Sequence, residues 1–95
     1  RDFVVAEYKG KVVGTATLRD NYIGHVFVHP DFVKRGIGSK LMQEMETIAK
    51  KRGYERVELN ASLTSEVFYE KLGYEKRKKK SEEAFIFEQN MIKKL

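Results

Sequence analysis

With 95 residues, 41% of them hydrophobic and 12% aromatic, the chain has material for one core but not two, and a single domain over 1–95 is expected. Its 19 Lys and Arg against 14 Asp and Glu leave a formal charge of +5, which suits acidic partners, whether phosphates, nucleic acid or acidic protein. The lack of cysteine excludes disulfides, thiolate metal sites and a cysteine nucleophile, and no apolar run approaches the roughly 20 residues of a membrane helix, so a soluble protein, by default cytoplasmic, is expected.

The chain opens at Arg1 inside a strand pattern, and a preceding N-terminal part is expected to be missing. FVVAEYKGKVVGTATL (3–18) reads as two strands around the hairpin signal Lys9-Gly10-Lys11. Asp20-Asn21 supplies a turn, and YIGHVFV (22–28) a third strand, closed by Pro30, which biases His29 toward an extended conformation. From Gly38 the period changes: Leu41, Met42, Met45, Ile48 and Ala49 share one helical face, opposite Lys40, Gln43, Glu44, Glu46 and Lys50. Lys50, Lys51 and Arg52 suit the negative helix end, and Gly53 suits the C′ position. ERVELNA (55–61) alternates as a strand; strand, helix, strand at this spacing implies a parallel pair with a right-handed crossover. A second helix is expected from Thr64 to Leu72, capped by Ser62 or Thr64 and stopped by Gly73. Strands over about 74–80 and 84–92 complete the chain, with the basic run Lys76 to Lys80 and a turn-like Ser81-Glu82-Glu83 between them.

The stretch HPDFVKRGIGSKLMQ (29–43) carries the chemistry. Glycines at alternate positions before a helix leave the backbone uncovered, so successive N–H groups can face an anion at the positive helix end. A Walker A loop is excluded, because Gly38-Ser39-Lys40 runs on into Leu41. A dinucleotide fingerprint is excluded as well, since Leu41 stands where a third glycine or alanine belongs. The spacing alone leaves an anion cradle and a plain tight turn both open.

The ordered set Val26-Phe27-Val28-His29-Pro30, Gly36-Ile37-Gly38-Ser39-Lys40-Leu41, Asn60 and Phe68-Tyr69-Glu70-Lys71-Leu72-Gly73-Tyr74 resembles the GNAT N-acetyltransferase superfamily over essentially the whole chain. Departures are Val33, where the family usually has Arg or Gln, and the lack of a counterpart to the family's opening strand and helices. The resemblance implies an α/β fold with a mixed, mostly antiparallel central sheet and one parallel pair, 22–28 and 55–61, that splays apart. It further implies acetyl-coenzyme A as cosubstrate and no metal. Pantetheine would meet backbone groups near Phe27 and Val28, with Asn60 close by; the pyrophosphate would meet the loop Val33, Lys34, Arg35, Gly36, Ile37, Gly38 and Ser39. The acceptor would be an amine on a small molecule or a protein, attacking the thioester directly in a ternary complex, with Tyr69 protonating the departing thiolate. Tyr69 also reads as a core residue with a satisfied hydroxyl. His25, Glu58 and Glu66 are candidate bases, with water as a relay, while His29 reads as part of the turn; none is singled out. The alternative function is a non-catalytic basic binding module of the same fold. Lys76 to Lys80 reads better as a solvated strand than as a nucleic-acid site, no membrane partner is expected, and a homodimer is left open.

Overall fold

The structure, a computed structural model, describes residues 2–77 and 88–95. β1 (Asp2–Tyr8), β2 (Lys11–Arg19), β3 (Tyr22–Val28), β4 (Arg56–Ser62), β5 (Glu75–Lys76) and β6 (Glu88–Lys94) form one sheet in the order β1-β2-β3-β4-β6-β5. Every neighbouring pair is antiparallel except β3 and β4. α1 (Ile37–Lys51) joins that parallel pair, and α2 (Glu66–Lys71) joins β4 to β5. The mixed, mostly antiparallel sheet expected from the sequence is therefore present.

Local chemistry accounts for the elements. Lys9 (φ 50°) and Gly10 (φ 79°) are both left-handed, the requirement of a two-residue hairpin turn whose twist matches its strands. α1 buries Leu41, Met42, Met45 and Ala49 against Ala16, Leu18, Ile23, Val57, Leu59 and Met91. Each large side chain in that layer contributes about 1.5–3 kcal/mol through burial. The two helices end alike: Gly53 N–H bonds Lys50 O and Tyr54 N–H bonds Ala49 O, while Gly73 bonds Glu70 O and Tyr74 bonds Tyr69 O. These are Schellman closures, and they return the chain toward the sheet.

Both helices contribute to the same core, Tyr69 of α2 joining the residues of α1. On the other face of the sheet Phe3, Val5 and Phe27 are exposed, and no helix of the described residues covers them. No helix among the described residues is long and apolar enough to cross a membrane.

Several boundaries differ from expectation. α1 begins at Ile37, one residue early, and β4 runs one residue further, to Ser62. α2 is shorter than 64–72, and its N-cap is Ser65 rather than Ser62 or Thr64. The reason is competition: Ser62 Oγ lies 2.7 Å from Ser65 Oγ and 3.3 Å from Thr64 Oγ1, and Ser65 N–H bonds Ser62 O, so these hydroxyls stabilise a turn instead of a helix start. Within the described residues β5 covers only Glu75 and Lys76, and β6 ends at Lys94 rather than 92. Lys78 to Lys80, the Ser81-Glu82-Glu83 turn and the start of the last expected strand lie outside the described residues.

Candidate active site

β3 and β4 pair at a single rung, Tyr22 with Glu58, where Glu58 N–H donates to Asn21 O at 2.9 Å. Beyond it they part, while β4 stays paired with β6 from Arg56 to Ser62. The cause lies in β3, whose register against β2 shifts between Thr15 and Thr17, leaving His25-Val26 opposite the single residue Ala16. His25 takes φ 50°, a left-handed conformation that costs a non-glycine residue about 1–2 kcal/mol. Two threonines of β2 hold the bulge: Thr17 Oγ1 donates to Gly24 O at 2.9 Å and Thr15 Oγ1 to His25 O at 3.2 Å. A bulge bends its strand, and here the bend opens a slot of about 330 Å³ lined by Ile23, His25, Val26, Asn60, Ser65 and Tyr69 among others.

Strand register decides which backbone groups face this slot. His29 N–H donates to Val13 O at 2.7 Å, which makes Gly14 and Val28 a non-hydrogen-bonded pair. Val28 N–H and C=O therefore point away from β2, toward the opening. The next rung, Phe27 with Thr15, turns Phe27's backbone groups to β2 instead, so of these two residues it is Val28 whose backbone groups are turned from β2. Phe27's ring stands exposed on the open face.

After β3, His29 caps the 3-10 turn Pro30–Phe32, its Nδ1 accepting from Asp31 N–H at 3.2 Å; it belongs to the turn. Gly36 (φ 76°) is the N-cap of α1, and no side chain caps the helix. The N–H groups of Ile37, Gly38 and Ser39 are consequently not consumed by the helix. Gly38 lies where a Cβ would stand 3.1 Å from Phe68 Cζ and 3.6 Å from Val28 Cγ2, so the helix start, α2 and the end of β3 meet at this glycine. Val33 and Lys34 are exposed. Arg35 is turned aside, its guanidinium 5.0 Å from the Phe32 ring centre and 6.0 Å from that of Tyr8.

Tyr69 is buried, at 8% exposure, with its ring packed edge-on against Phe68 and Tyr74. Its hydroxyl has no hydrogen-bond partner among the described residues, and Tyr69 lines the slot. Burial pushes its pKa up, so the phenol keeps its proton across the neutral range. Tyr74 differs: it donates to Glu46 Oε2 at 2.8 Å, and Lys93 binds the other oxygen at 3.0 Å. Asn60 Oδ1 accepts from Asn90 Nδ2 at 2.9 Å, which leaves the Asn60 NH₂ as the donor beside the slot.

The expected residues thus divide. Asn60 and Tyr69 line the slot, and Val28 and Phe68 flank Gly38 at the start of α1, whereas Phe27, Val33 and Lys34 present side chains to solvent and Arg35 stacks on aromatic rings. Sequence reasoning missed the bulge and its threonines; its one signal was Gly24 inside a strand pattern.

Comparison with known proteins agrees with this geometry. A GNAT N-acetyltransferase structure from Rhodopseudomonas palustris superimposes with a TM-score of 0.88 at 29% identity, covering 98% of this chain and 61% of that one. A Thermoplasma acidophilum N-acetyltransferase solved in complex with coenzyme A gives 0.78 at 23% identity, covering 98% and 60%, and so shares the fold. An uncharacterised N-acetyltransferase of Methanocaldococcus jannaschii is 36% identical over 89 residues, covering 79% of this chain and 39% of the relative. The chain therefore spans less than two thirds of these relatives. The family profile described as "Acetyltransferase (GNAT) domain" matches residues 1–95, and with the splayed pair, the glycine helix start and the overlaid folds in agreement, the chain belongs to the GNAT acetyltransferase family.

Proposed function

We propose that this domain transfers an acetyl group from acetyl-coenzyme A to a primary amine by direct attack in a ternary complex. The observation that carries this reading is Tyr69, buried, lining a slot between two parting parallel strands and with no hydrogen-bond partner for its hydroxyl among the described residues. A buried hydroxyl without a partner loses about 1–3 kcal/mol of solvation, so its retention at the mouth of an opening favours a role there. The N–H groups of Ile37, Gly38 and Ser39 suit the pyrophosphate, with the exposed Lys34 an adjoining cation. Val28 N–H and C=O suit the amide-rich pantetheine, and Val28 N–H suits the oxyanion of the tetrahedral intermediate. Asn60 NH₂ offers a further donor.

Attack forms the C–N bond and expels the thiolate, which takes the Tyr69 proton. The phenol is a weaker acid than a thiol of pKa about 8.5, so the transfer is completed by return of the amide nitrogen's proton to Tyr69. The reading is tested by calorimetry with coenzyme A and by following thiol release from acetyl-coenzyme A with a panel of small amines, polyamines and peptides. Release that depends on amine supports it; tight binding without transfer to any amine replaces it with a coenzyme A-binding module.

A further inference from the structure

We infer that His25 is the base that accepts the proton of the incoming ammonium, and that Thr17 fixes the tautomer this requires; the inference rests on the acetyl transfer proposed above. Thr17 is nearly buried, at 7% exposure. Its hydroxyl has one proton, and that proton goes to Gly24 O at 2.9 Å. Its 3.1 Å contact with His25 Nδ1 therefore has Thr17 accepting and Nδ1–H donating. In the neutral ring this leaves the lone pair on Nε2.

Placement supports the role. His25 and Tyr69 both line the slot, from opposite sides of the sheet. Ala16, Leu18 and Tyr69 belong to the core on the helix side, whereas Thr17 alternates with Ala16 and Leu18 and, with the His25 ring it binds, lies on the open side. A thioester seated in the slot would have Tyr69 behind its sulfur and the open face free for the amine. The left-handed backbone at His25 has no structural need for an imidazole, since asparagine or glycine fits φ 50° with less strain. The charged and titratable groups flanking His25 are Tyr22 and Tyr69 in the slot; on β4, Glu58 is held by Arg77 at 3.0 Å and is not a competing free base.

Protons balance as follows. His25 Nε2 takes one proton from the acceptor ammonium and releases it to solvent. The amine then attacks, Tyr69 protonates the thiolate, and the second nitrogen proton restores Tyr69. The overall products are the amide, coenzyme A thiol and one proton.

His25→Asn is the decisive variant. Its amide nitrogen can take the place of Nδ1 and keep the donor to Thr17, asparagine tolerates the backbone, and the basic Nε2 is removed. With an amine the wild-type chain acetylates, kcat/KM at neutral pH should fall about 10²- to 10³-fold, and the loss should shrink as the pH approaches the amine's own pKa, where the amine is already neutral, with coenzyme A affinity unchanged. Thr17→Val should lower kcat/KM several-fold and Thr17→Ser restore it. Independently of turnover, ¹⁵N NMR of the imidazole should show the Nδ1–H form in wild type and its loss in Thr17→Val. An Nε2–H ring, or a His25→Asn enzyme with the wild-type rate at neutral pH, overturns the inference alone. A wild-type chain that transfers acetyl to no amine overturns the proposed function and this role with it.

Discussion

A Cβ added to Gly38 would lie 3.1 Å from Phe68 Cζ, so the starts of α1 and α2 approach as closely as a residue without a side chain permits. Gly38 thus has a packing reason as well as an anion-binding one. The two separate in a cycle. Gly38→Val should destabilise the chain by about 1–3 kcal/mol through overpacking, and Phe68→Ala in the same chain should recover much of that loss. Coenzyme A affinity should remain at least about tenfold weaker in the double variant, because a side chain still covers the helix N–H groups. Denaturant unfolding and calorimetry read the two effects; affinity that recovers together with stability removes the cradle.

Gly36 answers to conformation alone. Nothing lies within 4 Å of a Cβ there, but φ is 76°. Gly36→Ala should cost about 1–2 kcal/mol and Gly36→Asn less, since asparagine tolerates the left-handed region. Equal stability of all three by urea unfolding would contradict the strained cap.

How far the sequence predicts the molecule depends on the range of each interaction. α1 was legible because Leu41, Met42, Met45 and Ala49 repeat within one helix and Gly53 ends it locally. The parallel pair followed from the order strand, helix, strand. The splay was not legible from the strands themselves: it depends on Thr15 and Thr17 holding carbonyls of residues on another strand. Arg35's position depends on Tyr8, across the sheet's first hairpin. Tyr69 was placed by family resemblance, but whether its hydroxyl was satisfied required the surroundings that only the fold supplies.

Lys34 and Arg35 should therefore behave differently despite adjacency. Lys34→Gln should weaken coenzyme A binding several-fold at low salt and flatten its dependence on ionic strength, as expected when one phosphate contact is lost. Arg35→Gln, which removes the stacking on Phe32 and Tyr8, should mainly lower stability by about 0.5–1 kcal/mol. Titrations at several salt concentrations decide; a flattened salt dependence in Arg35→Gln but not in Lys34→Gln would reverse the assignment.

Tyr74 should govern alkaline stability. Burial, then the hydrogen bond and charge of Glu46, push its pKa far up, and burial raises that of Tyr69. Unfolded tyrosines release protons near pH 10, while these folded ones do not. The stability they supply is fully present below about pH 10 and is lost as pH rises above it, at up to about 1.36 kcal/mol per pH unit for each. Tyr74→Phe should lose about 1.5–3 kcal/mol at neutral pH, because the lost acceptor is charged. It should also have a shallower decline between pH 10 and 11. An unchanged slope would show that Tyr74 ionises in the folded chain.

Tyr69→Phe separates catalysis from structure more sharply than is usual for a buried tyrosine. Removing a hydroxyl that satisfies a core partner costs about 1 kcal/mol, but Tyr69's hydroxyl has no partner among the described residues. Tyr69→Phe should accordingly be as stable as wild type or slightly more stable, with edge-on packing against Phe68 and Tyr74 intact. If the hydroxyl protonates the leaving thiolate, kcat should fall about 10²- to 10⁴-fold while coenzyme A affinity hardly changes. Thermal unfolding and steady-state kinetics on the same preparation test both halves. Unimpaired turnover would end the general-acid role and pass the proton to water, and a stability loss near 1 kcal/mol would show that the hydroxyl has a bound partner in the slot.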